Sequence, residues 1–214
     1  MKKILLSMRV TEADSYDEFR SSIAYEYIEF FEKLGYLVIL LPNNSKMIEK
    51  YFDDKIELVV FSGGNNVDPS LYNGDKDLSD VYPERDATEK EMFNIARKKN
   101  IKLLAICRGF HAVNVFLGGA LTHNIKNHVN KNHKLISKQS YLNNQETNSF
   151  HNQGIMMSDL YSQDKLNVLA MSEDGFVEAA INDDGAILGI QWHPERQIKA
   201  FDTKLIQSFI KGDL

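Results

Sequence analysis

Four short, predominantly apolar runs, each followed by a segment of helical character, constrain this chain more than any other feature. The runs are Lys3–Met8, Tyr36–Leu41 (closed by Pro42), Ile56–Phe61 and Ile101–Ile106. The first is followed by Ser15–Leu34, where Phe19, Ile23, Tyr27, Phe30, Phe31 and Leu34 recur at helical spacing until Gly35 stops the pattern. Ser45–Phe52 and Glu84–Lys99 supply the next two helices, and a helix running to about Leu117 follows Cys107. Strands that are apolar on both faces must be covered on both faces. Their alternation with helices predicts a mostly parallel sheet in a three-layer α/β fold.

The second half changes character. From Leu121 to Gln163 the chain is rich in Asn, Lys, His and Ser, and helix signals fade. Three strand-like runs follow, Leu166–Met171, Phe176–Ile181 and Ala186–Gln191, the last two joined by a hairpin turn at Asn182-Asp183-Asp184-Gly185. A helix over Ala200–Ile210 closes the pattern. With no repeat and no linker, residues 1–214 are expected to form a single domain.

Composition excludes several classes. The formal net charge is -5 and no Lys/Arg-rich run occurs, so a nucleic-acid footprint is absent. The start, Met1-Lys2-Lys3-Ile4-Leu5-Leu6-Ser7, is too short in apolar residues for a signal peptide and reads as a buried strand. No stretch has the length of a membrane span, and a cytoplasmic protein is expected. The one cysteine rules out an intrachain disulfide and a Cys-rich zinc site. A lone cysteine is usually an inert core residue, so its surroundings decide.

Those surroundings are specific. In Leu103-Leu104-Ala105-Ile106-Cys107-Arg108-Gly109-Phe110-His111 an apolar strand ends on the cysteine and a helix starts at once. This is the pattern of a nucleophile elbow, which exposes the side chain at the carboxyl edge of a sheet. The helix amino end favours a thiolate there. In Gly189-Ile190-Gln191-Trp192-His193-Pro194-Glu195 a strand ends on a histidine, and Pro194 enforces extended geometry. His193 and Glu195 then share one side, as a base and the group that orients it. Gly63-Gly64, at the end of the third strand, allows a backbone N–H to enter a cleft. With the N–H of Arg108 it would form an oxyanion hole, although a glycine pair alone also fits a simple tight turn.

Together these segments resemble the class I glutamine amidotransferase superfamily. The likeness covers nearly the whole chain. Gly63-Gly64-Asn65-Asn66-Val67-Asp68-Pro69-Ser70-Leu71-Tyr72, Arg85-Asp86 with Glu89, Asn114 to Leu121, and Asn148-Ser149-Phe150-His151-Asn152-Gln153 resemble its stand-alone γ-glutamyl hydrolase branch, which includes γ-glutamyl-GABA hydrolases. Overall similarity, rather than any one motif, points within that branch to γ-glutamyl-CDP-amidate hydrolysis in bacterial capsule phosphoramidate synthesis. The resemblance implies a flavodoxin-like amidotransferase fold. It implies a catalytic set of Cys107, His193 and Glu195, and an oxyanion hole from Gly64 and Arg108. It implies glutamyl contacts at Gly63, Asn65, His111, Ser149, Phe150 and His151, through backbone groups at Ser149 and Phe150. The partner is a small γ-glutamyl molecule. No cofactor, metal, nucleic acid, membrane or obligate protein partner is expected. Other γ-glutamyl amides, and a glutaminase subunit feeding ammonia to a synthase, stay open.

One position departs from the superfamily. Four residues after the nucleophile it usually has glutamine, and this chain has His111. His123, His128 and His133, spaced by five, share no helical face and read as solvated loop residues. Arg9 is either a contact for an anionic leaving group or a surface ion-pair partner, and Arg108 carries the same two readings. Phe19, Tyr27, Phe30 and Phe31 are expected in the core.

Overall fold

In the computed structural model, residues 1–43, 46–74, 78–161 and 166–214 are described. The first half contains β1 (Lys3–Ser7), β2 (Arg9–Glu12), β3 (Phe19–Ser22), α1 (Tyr25–Lys33), β4 (Leu37–Leu41), β5 (Ile56–Phe61), α2 (Pro83–Lys98), β6 (Lys102–Ile106) and α3 (Arg108–Leu117). The second contains β7 (Thr122–His123), β8 (Val129–Lys134), β9 (Glu146–Phe150), β10 (Gln153–Gly154), β11 (Leu166–Met171), β12 (Val177–Asn182), β13 (Ile187–Ile190) and α4 (Ala200–Lys211).

Seven strands form the central sheet in the order β11-β12-β13-β6-β5-β1-β4. From β4 to β13 all neighbours are parallel, while β11 and β12 add an antiparallel edge. The continuous apolar runs place successive side chains on opposite faces, and both faces are buried. Leu5, Val59, Phe61, Leu103 and Ala105 pack under α2 and α3. Ile4, Leu6, Leu58, Val60, Leu104 and Ile106 pack under α1 and α4. The chain adds β4 on one side of β1 and β5 on the other. That reversal opens a crevice at the carboxyl ends of the strands. The segments after β1, β5, β6 and β13 all end on this edge.

The long helix expected over Ser15–Leu34 does not form. Only Tyr25–Lys33 is helical, and Phe19–Ser22 turns back as β3 against β2, pairing Arg9 with Ser22 and Glu12 with Phe19. Ser15, Asp17, Ser21 and Ser22 are poor interior helix residues, because their short polar side chains compete for the backbone. Here Ser22 instead hydrogen-bonds Thr11 across the hairpin at 2.7 Å. Phe19 is therefore not core but 66% exposed, edge-on to Tyr82. The helix expected over Ser45–Phe52 shrinks to a 3-10 turn at Ile48–Tyr51, and Ser45 lies outside the described residues.

The two phenylalanines offer a contrast. Phe30→Ala empties a fully buried site and is expected to cost about 3–5 kcal/mol. Phe19→Ala is expected to stay within about 0.5 kcal/mol of the parent. Urea unfolding of both variants checks this, and an equally large loss at Phe19 would restore the long helix.

Candidate active site

Cys107 sits at the strand-to-helix corner with φ 53° and ψ -111°, a left-handed conformation that costs a non-glycine residue energy. The corner is held on both sides. The Cys107 N–H donates to the Ile190 carbonyl at 2.8 Å, and the Cys107 carbonyl accepts from the N–H groups of Phe110 and His111 at 2.9 and 3.2 Å. Gly109 is required for contact reasons. A Cβ there would stand 2.5 Å from the Phe61 carbonyl oxygen. Gly189, on the neighbouring strand, likewise yields to the Phe110 ring, which would be 2.1 Å from a Cβ. The elbow thus folds with Ala105 rather than glycine before the cysteine.

His193 projects from the end of the β13 segment, with Nδ1 2.6 Å from Glu195 Oε1. Burial works against charge on its ring. The Cys107 sulfur, which attracts and hydrogen-bonds the ring, and the Glu195 carboxylate outweigh that effect and hold the imidazolium up to about 9. With Nδ1 committed to Glu195, Nε2 is the nitrogen left for the sulfur. The backbone of His193 is clamped by the Asn148 amide, which accepts from its N–H and donates to its carbonyl, both at 2.8 Å.

The glycine loop lies alongside. A Cβ on Gly63 would be 2.6 Å from His193 Cε1, so this position must be bare for the ring to sit there. The Gly63 N–H donates to the Tyr27 hydroxyl at 2.9 Å, and that hydroxyl is 3.4 Å from His193 Nδ1. Arg85, 0% exposed, draws in the loop carbonyls. It donates to Ser62 O at 2.8 Å, to Gly63 O at 3.2 and 3.3 Å, and to Gly64 O. In a trans peptide the N–H points opposite to the C=O. With the Gly63 carbonyl turned to Arg85, the Gly64 N–H points away from it.

Arg85 and Arg108 share a buried carboxylate pair. Glu89 accepts from Arg85 Nε at 3.1 Å, from Ser7 Oγ at 2.7 Å and from Arg108, and Arg108 also pairs with Asp86. Burial pushes both guanidinium groups down, Arg85 to about 10 and Arg108 to about 9, so both stay charged at neutral pH. The two readings of Arg108 resolve to an ion pair, but one inside the protein rather than on its surface.

A cleft of about 320 Å³ joins these parts. Of the residues expected at the site, Gly64, Asn65, Cys107, Arg108, His111, Phe150, His151 and His193 line it. Gly63, Ser149 and Glu195 do not, Glu195 being the partner of His193 Nδ1. The Gly63 N–H is taken by Tyr27, and the Ser149 hydroxyl donates to the His128 carbonyl at 2.6 Å. His111 is buried beside Gln191, and burial together with the Arg108 charge pushes it down to about 3, so it is neutral. Arg9 reaches the cleft over Gly64, and Arg196 lines it while stacking 4.1 Å above the Phe150 ring.

Sequence reasoning missed Tyr27 and Arg196 as members of this neighbourhood, and gave Asn148 and Gln191 no individual role although both fall in segments it singled out. Tyr27 fits the apolar helical stripe, and only its hydroxyl has a polar role. The histidines are also not solvated. His128 is 2% exposed and hydrogen-bonded to Asp174, His133 contacts Glu178 at 3.2 Å, and His123 bonds Tyr72 and Gln153. His128, His151 and Glu178 offer ligand atoms within 4.8 Å of one another, a grouping able to hold a metal ion.

Arg85→Met tests the bracing. It leaves Glu89 buried with fewer partners, and a loss of about 3–5 kcal/mol is expected. An unchanged urea midpoint would mean that the buried ion network contributes nothing.

Comparison with known proteins adds the following. Residues 4–195 match the peptidase C26 family. The γ-glutamyl-CDP-amidate hydrolase of Campylobacter jejuni is 30% identical over 193 residues, covering 90% of this chain and 89% of that one. The γ-glutamyl-γ-aminobutyrate hydrolase of Escherichia coli O157:H7 is 30% identical over 201 residues, covering 79% and 77%. The crystal structure of a Thermotoga maritima glutamine amidotransferase shares the fold with a TM-score of 0.62 at 17% identity, covering 97% of this chain and 86% of that one.

Proposed function

We propose a function from one premise: the chain belongs to the peptidase C26 family. It is a hydrolase of the γ-glutamyl amide type. Our reading assigns the reaction to Cys107, with His193 as base and acid and Glu195 as its orienter. The observation that carries it is the convergence on one cleft of a strained cysteine and a buried histidine whose charge is stabilised by that sulfur and by Glu195.

His193 takes the Cys107 proton, and the sulfur attacks the γ-carbonyl carbon of a glutamyl group. The C–S bond forms as the carbonyl π electrons move to oxygen, where the N–H groups of Gly64 and Arg108 receive the charge. Arg108 opens α3, so its N–H lacks an intrahelical acceptor. The oxyanion collapses, the C–N bond breaks, and His193 protonates the departing nitrogen. Water, deprotonated by His193, then attacks the thioester carbon. Glutamate leaves, and the sulfur recovers its proton. Each oxyanion donor of this kind is worth roughly 10²–10³ in rate. His111, Asn65, Phe150 and His151 frame the glutamyl end in this reading.

For the leaving group we propose the nucleotide: γ-L-glutamyl-CDP-amidate gives glutamate and cytidine diphosphoramidate, in capsule modification in the cytoplasm and without an obligate protein partner. Arg9 and Arg196 at the cleft favour an anionic leaving group over ammonia, the product of a glutaminase subunit. They do not separate the nucleotide from γ-aminobutyrate, and the two relatives with those substrates are equally similar at 30%. Turnover of γ-glutamyl-CDP-amidate, γ-glutamyl-GABA and glutamine by the purified protein decides. The nucleotide substrate is expected to have the highest kcat/KM, and preference for either other substrate would replace this reading.

Cys107→Ala is expected to abolish turnover while retaining substrate binding by calorimetry. Residual hydrolysis at the parent rate would remove the thioester. The pH profile tests His193 separately. Its proton is needed by the leaving nitrogen and is lost as pH rises through about 9, so kcat/KM is expected to fall there. Glu195→Gln withdraws an interaction that raises that value and is expected to move the alkaline limb to lower pH.

A further inference from the structure

A second cluster of titratable side chains lies beside the cleft, where the β8–β9 hairpin meets β12. Glu178 is 0% exposed. Its Oε1 is 3.9 Å from His128 Nδ1, 4.0 Å from His151 Nε2 and 3.2 Å from His133 Nε2. The outward nitrogens of two of these rings are committed. His128 Nε2 is 2.9 Å from the Asp174 carboxylate, and His151 Nδ1 is 2.7 Å from the Gln153 carbonyl oxygen. A carboxylate and a carbonyl only accept, so the outward nitrogens carry the hydrogens. In neutral rings the inward nitrogens are then bare lone pairs. These lone pairs face a carboxylate, and neither they nor either Glu178 oxygen has a hydrogen-bond partner among the described residues. Acceptors buried against acceptors need a proton or a metal ion between them.

We infer that His128, His151 and Glu178, with His133 as fourth ligand, form a binding site for a divalent transition metal, zinc fitting best. Imidazole nitrogens with one carboxylate are its usual donors. The outward bonds to Asp174 and Gln153 are the contacts that fix a ligating histidine's tautomer. The first three ligand atoms lie within 4.8 Å of one another. A tetrahedral site with bonds of about 2.1 Å spaces its ligand atoms by about 3.4 Å, so a modest inward turn of the side chains completes it.

The fold prepares this grouping. Residues five apart on a regular strand face opposite ways. The β8–β9 register shifts between Val129 and Lys131, and Asn130 there has φ 53°. The irregularity reverses the alternation and brings His128 and His133 to the same side. Four protein ligands leave no open position, so the ion would be structural. It would tie β9, whose Asn148 clamps His193, to β12 of the central sheet.

The test is independent of hydrolysis. Chelator-stripped full-length protein is titrated with Co²⁺, followed by visible absorption and calorimetry, and thermal melts are run with and without Zn²⁺. Expected are about one equivalent bound, d–d bands of tetrahedral intensity, and a melting temperature raised by Zn²⁺. Cys107→Ser should retain all three, while Glu178→Gln should lose them. Should Glu178→Gln fail to fold, Asp174→Asn, at a half-exposed position, is expected to weaken Co²⁺ binding about 10–100-fold. Absence of stoichiometric binding would overturn the site, leaving a shared proton among these groups. Binding that disappears in Cys107→Ser, or that is unchanged in Asp174→Asn, would overturn it equally.

Discussion

The buried pairing of Arg85 and Arg108 with Glu89 and Asp86 is the constraint on which the rest of the site depends. Two positive and two negative groups, all nearly inaccessible, sit beneath the crevice at the strand ends. Burying any one of them alone would cost several kcal/mol, so they stand or fall as a set. Their geometry does more than balance charge. Arg85 spends its remaining donors on the carbonyls of Ser62, Gly63 and Gly64, which fixes which way each peptide of the loop faces. Arg108 is turned inward to the acids, leaving its backbone at the cleft. The same four side chains therefore orient both N–H groups assigned to the oxyanion. Ser7 extends the set to β1 by donating to Glu89 and accepting from the Ser62 N–H at 3.1 Å.

The sequence was most legible where one residue decides local geometry. The four apolar runs matched β1, β4, β5 and β6 to within a residue at either end, because a short, mostly apolar run next to a helical segment has few other uses in a chain this size. Cys107, His193 and Glu195 were legible because each is fixed by its immediate neighbours: the strand before, the helix after, and Pro194 between. The oversized first helix shows where this reasoning fails. Phe19 and Ile23 fit the helical stripe, yet the local polar residues and the partner strand Arg9–Glu12 favoured a hairpin, and a partner strand is not visible in a local window. Gly63 and Ser149 were placed in the substrate site through resemblance. In the structure the Gly63 N–H donates to Tyr27 and the Ser149 hydroxyl to the His128 carbonyl, which leaves the backbone role expected of Ser149 untouched.

The histidines failed for a related reason. Helical spacing was the wrong period for a region that is extended, and simple alternation would also have separated His128 from His133. A single register shift in the hairpin decides the outcome. His151 arrives from the opposite strand, and its N–H donates to the His128 carbonyl at 3.0 Å. Glu178 arrives from the central sheet. None of these partners is close in sequence, so the cluster is a product of topology. Its position gives it consequence. Phe150 lies edge-on to the His193 ring, and His151 packs against both His128 and His111, so the ordering of one hairpin is felt on both sides of β9.

His111 then takes on a particular physical meaning. An amide at this position would offer both a donor and an acceptor on a flexible arm. A neutral imidazole offers one of each in a rigid ring, and the Arg108 charge and the buried surroundings forbid it a second proton near neutral pH. It cannot serve as a cation for a carboxylate. Positive charge for the substrate must come from elsewhere on the cleft wall, where Arg9 and Arg196 present guanidinium groups outside the Asp86–Glu89 pairing, Arg196 with its Nε 4.0 Å from Glu195. Arg9 is carried by the hairpin that replaced the expected helix, and Arg196 is anchored on Phe150. Both lie on segments outside the central sheet. The groups assigned to bond breaking are thus fixed by the sheet, while the charges proposed to select a leaving group ride on a peripheral hairpin and on the turn between β13 and α4. Such segments can change without disturbing the chemistry, which is why the bond is more legible than the molecule that carries it.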